Sequence, residues 1–191
     1  MVTGRPWRAA VAVLLAIALA AVGAGPASAA LTASLQSLAL PTTPYSHNQQ
    51  TITGRAVLTV TDTSAYLPPI PPLTPGIGTG AGWHVTEQAS ALTYSGPNNG
   101  TAIPASALAI VSVEAPVASS GSQPVDPTNG PTVPTVSPAG SLNSARMVLH
   151  ANSGYGAGTY TQGINLSLTL PAQARAGTYT STITTTIGSG P

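Results

Sequence analysis

The chain has no cysteine, no lysine and no phenylalanine, and only 5% of its 191 residues are charged. Without cysteine there is no disulfide and no thiolate metal site, so stability has to come from packing and backbone pairing. Five arginines stand against four carboxylates. No basic stripe exists to hold phosphates, which removes the electrostatic basis of nucleic-acid binding. With no phenylalanine, and with Trp83 the one tryptophan beyond the N-terminal stretch, the core must be built from Leu, Val, Ile, Ala and a few Tyr. Scarce charge also weakens repulsion between copies, which eases self-association or adhesion to a surface.

The N-terminal stretch is of another kind. Arg5 and Arg8 precede an apolar run from Ala9 to Ala24, followed by Gly25, Pro26 and the small-x-small triplet Ala27-Ser28-Ala29. This pattern predicts a signal peptide over residues 1–29 and a secreted mature chain from Ala30. The run is shorter than the roughly 20 residues that a membrane span requires, so no span is expected in the mature chain. The remaining length suits a single domain over 30–191.

Strand patterns dominate that domain. In "GINLSLTL", Ile164, Leu166, Leu168 and Leu170 share one face while Asn165, Ser167 and Thr169 take the other. The closing stretch repeats the period: Tyr179, Ile183 and Ile187 lie on one side, and Thr178, Thr180, Thr182, Thr184 and Thr186 on the other. β-branched threonine suits a solvated pleated face, and an ice-like or glycan-binding ladder is the sharper alternative. Between these two strands "PAQARAG" predicts an antiparallel hairpin or a sheet-switching corner. "LTASLQSLAL", "GRAVLTVTD", "GWHVTEQAS", "ALAIVSV" and "ARMVLHA" complete a set of about seven strands, with no helical period among them. An antiparallel Ig-like β-sandwich is therefore expected, interrupted by Pro/Gly-rich loops near 66–82 and 115–141.

Residues that could carry catalysis do not fall into patterns. His47, His84 and His150 show no metal-ligand spacing. No Gly-x-Ser-x-Gly elbow occurs, and Asp62, Glu87, Glu114 and Asp126 are scattered singly. "GIGTGAG" is followed by neither a helix pattern nor a lysine, as a phosphate loop requires. No catalytic, cofactor-binding or metal-binding residue is assigned, and a non-enzymatic protein is expected.

Two segments carry a resemblance. "LTVTDTSA" from Leu58 leads, after the proline insertion, to "GTGAGWHVTEQASAL"; the chain closes on "GAGTYTQGINLSLTLPAQARAGTYTSTITTTIGSGP". Together they resemble the bacterial cell-surface WxL family. Its first Trp-x-Leu motif falls on Trp83-His84-Val85. Its second falls on Thr185-Thr186-Ile187, with threonine in place of tryptophan and Pro191 at the family's spacing. The resemblance implies a secreted β-rich protein that associates noncovalently with cell-wall peptidoglycan or with other envelope proteins, and needs no cofactor. It marks Trp83, Val85, Thr185 and Ile187 as possible wall or partner contacts. On its own strand Trp83 also reads as the core plug of a sandwich without other large aromatics. The alternative expectation is a self-assembling subunit of a filament or surface layer, a homo-oligomer built by strand addition from the segment Ala30 to Leu40.

Overall fold

The computed structural model describes residues 10–19, 30–70, 76–136 and 138–191. Fourteen strands run through them. The first half holds β1 (Ala10–Leu19), β2 (Leu31–Leu35), β3 (Ala39–Pro44), β4 (Gln50–Asp62), β5 (Tyr66–Leu67), β6 (Ile77–Gly78) and β7 (Trp83–Ala89). The second holds β8 (Thr93–Ser95), β9 (Leu108–Val113), β10 (Val117–Ala118), β11 (Gly140–Ser141), β12 (Arg146–Ala151), β13 (Gly158–Leu170) and β14 (Thr178–Ser189).

The fold is all-β. One sheet runs β12-β7-β14-β1-β3, with β8 also paired to β14; the other runs β11-β9-β13-β4-β2, with β10 also paired to β13. β5 and β6 form a small ribbon. Pairing is antiparallel throughout except between β1 and β14.

The second sheet is organised by β13 and β4, which pair along their whole length from Gly158↔Asp62 to Leu170↔Gln50. Alternation turns Tyr160, Ile164, Leu166, Leu168 and Leu170 of β13 inward beside Ile52, Ala56, Leu58 and Val60 of β4. Trp83, Val85, Tyr179, Ile183, Leu149 and Ala151 of the first sheet join the same hydrophobic cluster. Burying such a face on both sheets is the main stabilising term available to a chain without cross-links.

Trp83 is the largest side chain in that cluster and is 0% exposed. Its Nε1 donates to the Gly156 carbonyl at 3.2 Å, and its ring centroid lies 6.3 Å from that of Tyr160. Gly156 adopts φ 83°, and a Cβ there would come within 2.6 Å of the indole nitrogen. Two separate constraints therefore require glycine at this position. The Tyr160 hydroxyl in turn reaches the carbonyls of Gln123 (2.6 Å) and Ala157 (2.9 Å).

Several elements differ from expectation. "LTASLQSLAL" forms two strands in different sheets, β2 beside β4 and β3 beside β1. Its apolar residues explain the break, since Leu31, Ala33 and Leu35 keep a period of two and the next step, to Leu38, is three. The phase reverses there, and the chain crosses over to the other sheet. Of the two forms expected for "PAQARAG", the corner is found, because β13 and β14 belong to different sheets. The Tyr179 hydroxyl fixes it, accepting from the Arg175 amide at 3.0 Å and donating to the Arg175 carbonyl at 3.1 Å.

The segment near 115–141 is tied to the body. β10 pairs with β13, Gln123 is buried with its Nε2 donating to the Gly154 carbonyl at 3.0 Å, and Thr132 bridges to His150. In the 66–82 segment, residues 71–75 lie outside the described residues and β5 pairs with β6. Of the expected signal peptide, residues 1–9 and 20–29 lie outside the described residues, and Ala10–Leu19 is β1. Among the described residues no helix is long and apolar enough to cross a membrane.

Trp83→Ala should destabilise the chain by about 3–5 kcal/mol, the range for removing a large buried aromatic. Gly156→Ala should cost roughly 1–3 kcal/mol through backbone strain and contact with the indole. Chemical denaturation measures both; unchanged midpoints would contradict this view of the core.

Candidate functional site

The two motif segments marked by the sequence are neighbouring strands. β7 and β14 run antiparallel with Trp83↔Ser189, Val85↔Ile187 and Glu87↔Thr185 in register. Trp83, Val85, Thr185 and Ile187 therefore gather on one strand pair. Their side chains point into the protein: Trp83 and Val85 are 0% exposed, Thr185 is 1% exposed, and Ile187 is half-buried. Trp83, Val85 and Thr185 fill the interior of this chain, and Ile187 packs at the margin of the core.

The same strand pair holds a residue that sequence reasoning passed over as one of four scattered carboxylates. Glu87 is 1% exposed. The Thr185 hydroxyl lies 3.1 Å from its Oε1 and 2.9 Å from its Oε2. Burial pushes this carboxyl up to about 8, against the opposing effect of the Thr185 hydrogen bond. At neutral pH it is consequently held as the neutral acid. Arg146 stands opposite in backbone register on β12, but its Nε donates to the Ser141 carbonyl at 3.1 Å. Counting in twos from Trp83 through Val85 places Glu87 on the inward face, and that was the available signal.

The other candidate groups have local structural roles. Asp62 Oδ1 accepts from the Ser64 amide at 2.8 Å. Arg55 grips Glu114 with two hydrogen bonds, at 2.7 and 2.6 Å, and holds that carboxyl below its usual range; both side chains are about half exposed. Asp126 closes a turn by accepting from the amides of Asn129 and Thr128, which lower it likewise. His84 donates from Nδ1 to the Gly190 carbonyl at 2.9 Å. Among the described residues no three His, Cys, Asp or Glu side chains gather as a metal site would need.

One recess opens to solvent at the corner between β13 and β14. Ala172, Gln173 and Arg175 line one side, and Tyr45 and His47, just after β3, line the other, around a volume of about 310 Å³. The Tyr45 and His47 rings meet edge to face, 5.1 Å apart at 77°. The Tyr179 hydroxyl holds the Arg175 backbone, while Arg175 is exposed and its guanidinium makes no hydrogen bond or ion pair among the described residues. An aromatic ring, an amide and a free guanidinium are the groups that pack on sugar rings and bind hydroxyls and carboxylates. "TPYSHNQ" read only as a polar turn, because nothing in the sequence joins it to a corner 130 residues away. No protein-family model matches the chain, and no curated protein matches it.

Glu87 gives this strand pair a pH signature. Its folded value of about 8 lies above the ordinary 4.5, so the folded state binds the extra proton between these values. The stability that proton provides is complete below about pH 4.5 and is lost as pH rises through about 8. Thermal melts should show the parent weakening over this window and Glu87→Gln flattening the profile, with the variant the more stable at about pH 9. An equal decline in both proteins would place the titration elsewhere.

Proposed function

We propose that the chain is a secreted, non-enzymatic surface protein of the WxL-like kind. Its principal strands form an Ig-like sandwich, and it associates noncovalently with cell-wall peptidoglycan or with envelope proteins bound to it. The observation that carries the binding role is the recess of Tyr45, His47, Gln173 and Arg175, in which a half-buried ring and an unpaired guanidinium stand together on a nearly uncharged body. Peptidoglycan offers matching chemistry, with sugar rings for the aromatic side and peptide carboxylates for the guanidinium. The Tyr179 hydroxyl at the β13–β14 corner supports the Ig-like reading, because a tyrosine bonded back to the backbone before a strand recurs in such sandwiches.

In this reading the buried motif residues serve the wall-binding protein as scaffold. Trp83, Val85, Thr185 and Ile187 set the β7–β14 pair, and β14 positions the corner that carries Arg175. A second reading, assembly of copies by strand addition, is favoured by the strand pairing on the other edge of β14.

The test is retention of the secreted protein by purified peptidoglycan sacculi. The parent should sediment with the sacculi, and Tyr45→Ala combined with Arg175→Ala should lower affinity about tenfold, or ~1.4 kcal/mol, with the fold unchanged. Met147→Ala, at an exposed position on β12, should bind as the parent does. A folded parent that stays in the supernatant overturns the wall-binding proposal.

A further inference from the structure

β1 occupies an unusual place. It lies between β14 and β3, parallel to the first over Ala12–Leu19↔Thr178–Thr185 and antiparallel to the second. These ten residues belong to the apolar run read above as part of a leader. Removing residues 1–29 would leave one edge of β14, the edge away from β7 and β8, without a partner along Thr178–Thr185, and β3 without any strand partner. The slot between them would be two strand spacings across, about 9.5 Å.

Neither wall of that slot is built to close it. β3 is pinned by Leu40, which is 4% exposed and packs so closely over Gly54 that a Cβ there would lie 2.5 Å from Leu40 Cδ2. Just beyond β3, Tyr45 is engaged in the recess at the β13–β14 corner. β14 for its part has no charge and no proline from Thr178 to Ser189. Exposed edges usually carry such protection, and an unprotected edge is a template for another strand.

We propose that in the secreted chain this slot receives a strand from a second copy, and that the donated segment is Leu31–Leu35. Val13, Leu15, Ile17 and Leu19 now stand in register beside the inward-facing Tyr179, Ser181, Ile183 and Thr185. The slot therefore takes an uncharged segment with apolar residues at every second position. Leu31, Ala33 and Leu35 have that spacing, in a strand held on one side only, by β4. They lie directly after the predicted cleavage site. The segments with the same spacing in β13 and β9 are interior to their sheet and paired on both sides. With few charges to repel one another, copies can approach closely. The proposal rests on the reading of residues 1–29 as a signal peptide and on the strand-addition reading.

Because the chain has no cysteine, introduced thiols report on it without background. Full chains carrying Ser34→Cys or Thr182→Cys, both outward-facing positions, are expressed with residues 1–29 in place, recovered from the medium, mixed and oxidised. Mass spectrometry defines the N-terminus of each. The expected result is a chain starting at Ala30, a mass at least doubling as concentration rises over a roughly tenfold range, and a mixed disulfide joining the two variants. Replacing Ser34→Cys by Met147→Cys, on β12, should abolish the mixed disulfide. A cleaved chain that stays monomeric without cross-linking overturns the exchange and leaves the leader reading intact. An intramolecular disulfide in the Thr43→Cys/Thr182→Cys double variant also overturns it, since β3 would then have closed the slot. A secreted chain that retains residues 10–19 overturns the leader reading, and the proposal with it.

Discussion

β14 is the constraint on which the rest of the structure depends. It pairs with β7 and β8 along one edge and with β1 along the other, and it buries Tyr179 and Ile183 on its inner face. At its start, the Tyr179 hydroxyl closes the corner that brings the chain over from the second sheet. Toward its end it fixes the neighbours of Trp83 and Glu87. A chain with no disulfide must put such work into one ladder and the side chains beneath it. β14 therefore links the corner that carries Arg175 to the buried Glu87–Thr185 contact.

The Glu87–Thr185 contact is a polar feature buried within the β7–β14 pair. The Thr185 hydroxyl meets a buried acid across the strand pair. The site is filled by a small hydrogen-bonded pair. Burying a carboxyl in this way is tolerable only while it stays protonated, and among the described residues no cation is placed to compensate it; Arg146, opposite in register, is turned to the Ser141 carbonyl. A core built like this ties stability to mildly acidic surroundings.

Much of the fold was legible in the sequence because its strands are amphipathic with a strict period. β4, β7, β13 and β14 follow from counting apolar residues in twos, whereas β12 breaks the period at a bulge where Val148 and Leu149 are both buried. The pairing of strands was not legible, since alternation fixes which face is buried but not which strand lies alongside. The division of "LTASLQSLAL" into β2 and β3 was visible in principle as the three-residue step from Leu35 to Leu38. The short strands β5, β6, β10 and β11 lie in Pro- and Gly-rich segments; β5 and β6 pair only with each other, and β10 and β11 gain their ladder bonds from β13 and β9. The recess was illegible for the same reason: Tyr45 and Arg175 are neighbours only because β3 and the β13–β14 corner meet at one end of the fold.

The central claim is that β14 is a doubly paired strand whose outer edge, from Thr178 to Thr185, requires a partner. Hydrogen exchange of its amides in the secreted protein, followed over a range of concentrations, tests this most directly. Amides facing β7 and β8 should exchange slowly at every concentration, whereas the alternate amides between Thr178 and Thr185 should become protected as concentration rises. Rapid exchange along the outer edge at all concentrations, or uniform protection independent of concentration, would contradict the account.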